Sequence, residues 1–341
     1  MLTRILLSFL FVFLVSAPPG WAADMRLMLP AACAPGQDCW VVNYADMNPA
    51  RDKAEDYTCG AATYDEHEGT DFGLKDTAQM KAGVSVLAAA PGKVLSIRDG
   101  LPDRQPTKQE IEEMLASAKG CGNGVLVDHG NGWQSIYCQM RGGTIAVKKG
   151  DTVTAGQRLG DIGQSGAAEF PHLHFGLFQN RKTIDPFSGT AAEGGCGKSK
   201  GSMWMEGIDV DYQPLSIFAT GFSAEVPNFD NIRADATGIA TSSPSVDVMA
   251  FWAGFYGLHK GDHVVLNIIG PDGKIFATQS IEQKEDRSRQ YYFVGRKIAD
   301  PLIPGAYKGT VQVERAIAGS TTEKLKRNSE KQLTVLNAAG K

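Results

Sequence analysis

Short apolar runs separated by glycine-rich turns restrict the fold of this chain more than any other feature. The runs are rich in valine and isoleucine and lie at 84–88, 93–97, 124–128, 134–137, 144–147, 157–162 and 172–178. Four glycines in one stretch recur too closely for a helix: Gly150, Gly156, Gly160 and Gly163. Runs of this length and composition are typical of β-strands. We therefore expect a mainly β fold with a compact antiparallel β-sheet domain over residues 57–200.

One segment inside this domain predicts a helix instead. Thr107 and Glu110 have the spacing of a capping box, and apolar residues follow at helical intervals: Ile111, Met114, Leu115 and Ala118. We expect an inserted amphipathic helix of about three turns that packs on the sheet as an edge cover. A wall that contacts a substrate is the alternative.

The chain after residue 207 shows a second set of strand patterns. They lie at 246–251, 263–268, 274–279, 290–294, 307–313 and 332–336. Several short strands in a row predict an immunoglobulin-like β-sandwich. We expect residues 207–341 to form an accessory domain that could bind an envelope protein partner, and residues 23–56 to form an N-terminal extension.

The first 22 residues have the pattern of a secretory signal peptide. Arg4 precedes an apolar run at 5–15, and breakers and small residues follow, with cleavage expected after Ala22. A membrane anchor, the alternative, needs about 20 apolar residues. We therefore expect an exported protein, periplasmic or extracellular, with no integral membrane span after cleavage.

The six cysteines fit an oxidising compartment. They are Cys33, Cys39, Cys59, Cys121, Cys138 and Cys196. An even number in an exported chain predicts three disulfides, although sequence does not choose among the possible pairings. A local Cys33–Cys39 pair around Pro35-Gly36 is the first expectation. A structural zinc ribbon is disfavoured because the sequence contains no C-x-x-C.

The charge balance argues against a nucleic-acid partner. The chain has 34 Lys+Arg and 38 Asp+Glu, a formal net charge of -4. Such a chain has no broad basic surface with which to neutralise a phosphate backbone.

Two histidine motifs supply candidate metal ligands. His67 and Asp71 lie four residues apart with Gly69 between them, and His172 and His174 lie two apart. Alternate residues of an extended chain face the same side, so each pair is expected to share a face, and Gly69 carries no side chain to obstruct an ion. Together the motifs provide four candidates for a zinc site with three protein ligands and one open position for water.

These residues carry a resemblance to a known family. The His67-x-x-x-Asp71 motif, the glycine-rich stretch 150–166 and the Pro-His-Leu-His-Phe motif at 171–175 resemble the lysostaphin-type (LytM-like) zinc metallopeptidases. The resemblance covers about residues 60–190. It implies a metallopeptidase domain that binds Zn²⁺ through His67, Asp71 and His174 and cuts peptides of bacterial peptidoglycan. It also implies that His172 is a catalytic base or stabilises the transition state.

One position departs from the family pattern. The family segment Tyr-x-His-Leu should fall at 137–140, where Gln139 stands in place of the histidine. Glutamine forms hydrogen bonds but takes no proton near neutral pH. In one interpretation the protein is a zinc endopeptidase in which His172 alone transfers the proton while Gln139 orients water or the oxyanion. In the other it is a weakly active or inactive zinc-containing envelope scaffold that binds peptidoglycan or regulates another wall hydrolase.

The remaining histidines and two acidic neighbours have structural interpretations. His129 is expected to form structural hydrogen bonds at a hairpin turn, with access to the site as the alternative. His259 and His263 are expected to be exposed turn residues. Glu68 and Glu169 are expected at solvated loop positions, with groove lining as the alternative.

Overall fold

The computed structural model describes residues 25–317 and 322–337. The expected signal peptide, residues 1–22, lies outside the described residues. No helix in the described part of the chain is long and apolar enough to cross a membrane.

The N-terminal region, which we define as residues 25–204, is built around one antiparallel sheet. Its elements are β1 (Cys39–Asn43), β2 (Thr70–Leu74), α1 (Thr77–Ala82), β3 (Ser85–Leu87), β4 (Gly92–Arg98), α2 (Lys108–Ala116), β5 (Asn123–Gly130), β6 (Trp133–Met140), β7 (Thr152–Val153), β8 (Arg158–Asp161), β9 (His172–Gln179), β10 (Lys182–Asp185), β11 (Thr190–Ala191) and a 3₁₀ turn at Ala192–Gly194. The main strand order is β1-β2-β9-β6-β5-β4-β7, with β10 and β11 extending from β9 and a separate β3-β8 pair. The predicted antiparallel, mainly β fold is therefore confirmed.

One predicted strand is wrong. Residues 144–147 follow a turn and form no strand. They lie alongside β8 instead, where the Ala146 amide donates to the Leu159 carbonyl at 2.8 Å. Val147 is buried and Ile145 packs against the core. The apolar residues of this run therefore reflect burial rather than strand pairing.

The inserted helix forms with its predicted cap but does not pack as predicted. The Thr107 hydroxyl accepts from the Glu110 amide at 3.3 Å, and the Glu110 carboxylate accepts from the Thr107 amide at 2.7 Å. The helix ends at Ala116, and none of its residues is buried; Leu115 is 63% exposed. The expectation of an edge cover on the sheet is wrong, because Ile111 and Met114 are only partly buried and Leu115 and Ala118 are exposed.

The C-terminal region, residues 215–337, contains two antiparallel sheets with one short parallel pairing. Its elements are β12 (Ser216–Ser223), α3 (Phe229–Ala234), β13 (Thr241–Ser242), β14 (Val248–Leu258), β15 (His263–Ile269), β16 (Ile275–Glu282), β17 (Arg287–Lys297), β18 (Gly305–Ala316) and β19 (Lys324–Val335). The sheet orders are β12-β14-β17 and β13-β19-β18-β15-β16. Phe251, Leu266 and Val311 belong to the buried core shared by the two sheets. The pair of packed sheets agrees with a sandwich, while its immunoglobulin-like character and the domain boundaries stay predictions.

The six cysteines form three disulfides: Cys33–Cys39, Cys59–Cys196 and Cys121–Cys138. The Cys33–Cys39 pair is the local one expected from the sequence. Cys59–Cys196 ties the loop before β2 to the end of the N-terminal region across 137 residues.

The described part of the N-terminal extension is integral to the sheet. β1 pairs antiparallel with β2 and forms one end of the sheet order. Leu27 is fully buried and forms a parallel bridge with Trp204. Residues 25–56 thus contribute core and sheet rather than a separate appendage.

We expect Asp185→Asn to stabilise the protein in a pH-dependent way. Asp185 is fully buried, and its Oδ1 atom has no hydrogen-bond partner within residues 25–317 and 322–337. Burial raises the pKa of its carboxyl from 3.8 to about 6. The folded state therefore keeps a proton that the unfolded chain already releases at lower pH. The free energy of unfolding consequently falls as pH rises from about 4 to about 6.

The free energy of unfolding, measured in urea at pH 4 and pH 8, checks this. The variant should match the wild type at pH 4 and exceed it by about 1–3 kcal/mol at pH 8. Parallel pH profiles for the two proteins would contradict the assignment.

Candidate metal centre

The register of four strands places two of the three predicted ligands, Asp71 and His174, in one row. Asp71 lies directly opposite His174, which lies opposite Cys138 on the other side of β9. Asn43 of β1 lies opposite Asp71. Directly opposed residues of antiparallel strands share a face of the sheet. The row Asn43–Asp71–His174–Cys138 therefore lies on one face, and this face carries the site.

Three side chains converge on this face. The Asp71 Oδ1 atom lies 3.2 Å from His67 Nε2 and 3.0 Å from His174 Nδ1, and the two nitrogens are 3.1 Å apart. These three atoms lie within 4.8 Å of one another, a group that could hold a metal ion. His67 comes from the loop before β2, so the short segment 67–71 supplies two of the three atoms. Two imidazole nitrogens and one carboxylate oxygen form a donor set of a type that suits zinc.

Two hydrogen-bond partners orient the ligand side chains: the Tyr44 main-chain carbonyl orients His67, and the Asn43 side chain orients Asp71. The Tyr44 carbonyl lies 2.7 Å from His67 Nδ1 and can only accept, so Nδ1 carries the proton and Nε2 faces the cluster. The Asn43 amide donates to Asp71 Oδ2 at 2.8 Å, which leaves Oδ1 toward the histidines. Such outer partners fix ligand tautomer and orientation in metal sites. Neither partner is predicted from the sequence: the apolar run at 39–44 indicates a strand, β1, but not its neighbour in the sheet.

The charges of the cluster suit a cation. Burial opposes ionisation of Asp71, but the neighbouring His67 and His172 and hydrogen bonds from His174 and His67 outweigh it and hold the pKa of Asp71 well below its usual range. Burial lowers the pKa of His174, which favours the neutral imidazole that a metal requires. Burial also opposes the charged form of His67, but the Asp71 carboxylate raises its pKa above the ordinary value. Of the two histidines, His67 therefore holds a proton more readily, and a metal ion that binds here must displace that proton.

Gly69 makes room for a ligand. A Cβ atom there would lie 2.7 Å from the His174 ring and 2.6 Å from the Phe175 carbonyl oxygen. The absence of a side chain was expected to clear space for an ion. The structure shows that it clears space for the His174 imidazole itself.

His172 lies at the edge of the cluster. Its Nδ1 is 2.8 Å from the Phe170 carbonyl, which can only accept, so Nε2 carries the lone pair. Nε2 is 3.9 Å from Asp71 Oδ1. His172 is therefore placed to exchange a proton beside the cluster.

Gln139 lies at the end of β6 with a left-handed backbone, φ 57°. Its Nε2 donates to the Gly120 carbonyl at 3.0 Å, and its buried Oε1 has no hydrogen-bond partner among the residues that the structure describes. Its main-chain carbonyl accepts from the Gly163 amide, and the Gly163 carbonyl accepts from the His172 amide. Gly163 therefore links the main chains of Gln139 and His172 by one hydrogen bond to each.

The other candidates stay outside the cluster. His129 contacts the Pro91 carbonyl at 2.7 Å and the Ser135 hydroxyl at 2.8 Å, which agrees with a structural hydrogen-bonder. His259 is partly buried at a turn, whereas His263 begins β15 and contacts the Ser280 hydroxyl. The expectation of an exposed turn is therefore wrong for His263, which is exposed but paired in the sheet, and for His259, which is not fully exposed.

The two acidic neighbours are exposed, as expected: Glu68 and Glu169. Glu68 also lines an open groove beside His67.

Comparison with known proteins identifies the part of the chain that carries this centre. Residues 65–186 match Peptidase family M23. This stretch of the chain is therefore similar to the M23 peptidases. This confirms the resemblance to the lysostaphin-type peptidases, and the matched residues include both histidine motifs.

Curated relatives match short stretches of the chain. The chain is 30% identical over 97 residues to an uncharacterized metalloprotease of Haemophilus influenzae, covering 28% of this chain and 20% of the relative. It is 34% identical over 104 residues to the cell division protein DipM of Caulobacter vibrioides (30% and 15%). It is 30% identical over 119 residues to the peptidoglycan DD-endopeptidase ShyA of Vibrio cholerae (35% and 22%). The chain therefore spans about a fifth of the length of these relatives.

We expect Asn43→Ala to weaken the binding of added zinc at the cluster of His67, Asp71 and His174 by about 10- to 100-fold. The change removes the donor to Asp71 Oδ2 and leaves a buried carboxylate oxygen unpaired. Titration of the metal-free protein with zinc against a competing chelator measures the affinity. Asn267→Ala, which removes a hydrogen-bonding asparagine of β15, is the matched control. An unchanged zinc affinity in folded Asn43→Ala protein would show that Asn43 does not orient Asp71.

Proposed function

We propose that the protein is a zinc-dependent endopeptidase that hydrolyses peptide bonds of peptidoglycan stem peptides or cross-bridges during cell-wall remodelling. The convergence of His67, Asp71 and His174 within an M23 domain, with His172 beside them, is the observation that carries the proposal. The name of ShyA, a peptidoglycan DD-endopeptidase, supports a cell-wall substrate. The three disulfides support export to the periplasm or the cell exterior.

His67, Asp71 and His174 would hold the zinc ion. Zinc in such a donor set lowers the pKa of a water ligand and polarises the scissile carbonyl. His172 Nε2, which carries a lone pair, accepts the proton released on attack and returns it to the leaving amine. The Phe170 carbonyl holds Nδ1–H throughout and stabilises the imidazolium that forms in between. Asn43 and Tyr44 keep the ligand atoms oriented while charge develops.

Gln139 supports a second candidate function. It occupies the family's histidine position, and a carboxamide transfers no proton near neutral pH. A general acid–base group is typically worth about 10²–10⁴ in rate, so its loss could leave a zinc-containing scaffold that binds peptidoglycan or regulates another hydrolase. The intact set of candidate ligands, His67, Asp71 and His174, favours the enzyme, because a chain freed from catalysis would be expected to lose ligands as well.

We expect the purified full-length protein to bind about one zinc ion and to release muropeptides from isolated sacculi. His174→Ala should abolish release, because it removes one of the three presumed ligands, whereas His129→Ala should not, because His129 lies outside the cluster. Metal analysis and chromatography of soluble muropeptides measure the two properties. Bound zinc without muropeptide release from the wild type would favour the scaffold.

We expect Gln139→His to raise the rate of muropeptide release by about tenfold or more. Histidine tolerates the left-handed backbone at φ 57° at least as well as glutamine does, so the change adds no backbone strain. Gln134→His, in the same strand, is the control. An unchanged rate in a wild-type-active background would show that residue 139 does not act at the reacting group.

A further inference from the structure

A buried aromatic cluster joins the C-terminal region to the N-terminal region. Trp40 of β1 and Phe170, two residues before β9, meet four aromatic residues of the C-terminal region: Phe218, Trp252, Tyr256 and Tyr291. Ring centroids lie 5.9 Å apart for Trp40 and Phe218 and 5.4 Å apart for Phe170 and Tyr256. Contacts of this size and burial hold two surfaces in one arrangement rather than tether them loosely.

Arg289 of β17 adds a cation to this cluster. Its guanidinium lies 5.6 Å from the Phe170 ring centroid and 5.0–5.6 Å from those of Phe218, Tyr256 and Tyr291. It also donates to the Lys75 carbonyl at 2.6 Å, just after β2. Cation–π contacts strengthen when the cation is desolvated. Arg289 therefore links the C-terminal region both to Phe170 and to the end of β2.

This junction lies on the same face of the sheet as the metal cluster. Trp40 lies opposite Gly73, and Gly73 lies opposite His172, so these three form a row beside Asp71 and His174. Rows two residues apart along a strand are separated by about 7 Å. A Cβ atom on Gly73 would lie 3.0 Å from the Tyr256 hydroxyl oxygen. The C-terminal region thus packs directly beside His172.

Two chains of contacts run from this junction to His172. The Phe170 carbonyl accepts from His172 Nδ1, and the Phe170 ring lies 5.0 Å from the imidazole. The Tyr256 hydroxyl donates to the Leu74 carbonyl at 2.6 Å, while the Leu74 amide donates to the Pro171 carbonyl at 2.9 Å. The two residues before His172 are therefore held, directly or through Leu74, by Arg289 and Tyr256.

We propose that the C-terminal region is a positioning element of the active site: Arg289 and Tyr256 fix the 170–171 segment so that His172 keeps Nδ1–H on the Phe170 carbonyl and presents Nε2 to the metal cluster. The inference rests on the proposed function for the role of His172 in proton transfer. The region thereby acts on catalysis through Phe170 and Leu74, without itself touching the reacting atoms.

The imidazole of His172 provides a direct readout in metal-free, full-length protein labelled with ¹⁵N-histidine. The wild type should show Nδ1 protonated and Nε2 unprotonated at a pH where the ring is neutral. Arg289→Met should shift the tautomer ratio of His172 by about 2- to 10-fold, the equivalent of one weakened hydrogen bond. Arg296→Met is the matched control, because Arg296 also lies on β17 and stacks on an aromatic ring, that of Phe276, away from this junction.

The same variants separate positioning from metal binding. Arg289→Met should lower the maximal rate of muropeptide release by a similar 2- to 10-fold, with the half-saturating amount of sacculi and the zinc affinity unchanged within about twofold, because the ligand contacts remain. Tyr256→Phe should give the same pattern more weakly.

An unchanged His172 tautomer in both folded variants would overturn the proposal. Loss of zinc binding in step with the tautomer shift would also overturn it, since the effect would then be general loosening. If Arg289→Met does not fold, the tautomer ratio of His172 in Tyr256→Phe decides whether the proposal stands. If the wild type releases no muropeptides, the proposed function fails while the tautomer measurement still tests the link to the C-terminal region.

Discussion

The pairing of β2 with β9 is the constraint on which the site depends. It sets Asp71 opposite His174 and Gly73 opposite His172, so two motifs about 100 residues apart meet on one face. A slip of one residue in this register would turn the histidines to the other face. The register is fixed by burial: Phe72 and Leu74 of β2, with Leu173 and Phe175 of β9, lie in the core on the opposite face. In both strands, burial of the apolar residues on one face therefore positions the polar residues on the other face.

The same alternation explains what could be predicted from the sequence. The spacing of His67, Asp71, His172 and His174 predicted a shared face because period-two patterns survive in any regular strand. Of the strands that the structure describes in the C-terminal region, the sequence predicted β14 to β19 but not β12 or β13. Most of the predicted strands are longer than their apolar runs, because long strands such as β19 carry polar residues on an exposed face. Asn43 and Tyr44 could not be found in this way. Their roles depend on a β1–β2 pairing across a loop of 26 residues, and no local pattern encodes that.

The exposed helix shows the opposite failure, a local pattern without its expected tertiary partner. The capping box of α2 is satisfied by residues three apart, so sequence alone determines it. Packing of its apolar stripe depends on where the loop places the helix, and the helix lies away from the sheet with Leu115 in solvent. Periodicity therefore predicted the helix correctly and its burial wrongly. The run at 144–147 shows a different error. Val147 is buried and Ile145 packs against the core, as the apolar pattern indicates, but residues 144–147 form no strand.

The contacts of Gln139 narrow what this residue could contribute to the proposed chemistry. Its carboxamide cannot be reversed without placing Oε1 against the Gly120 carbonyl oxygen, so the hydrogen bond fixes which end is which. The atom left buried and without a hydrogen-bond partner among residues 25–317 and 322–337 is Oε1, an acceptor. An acceptor can orient a water molecule or a protonated group, but it repels the negative oxygen of a tetrahedral intermediate. Of the two roles considered for Gln139, orientation of water is therefore consistent with the structure, and stabilisation of the oxyanion must come from elsewhere in the site.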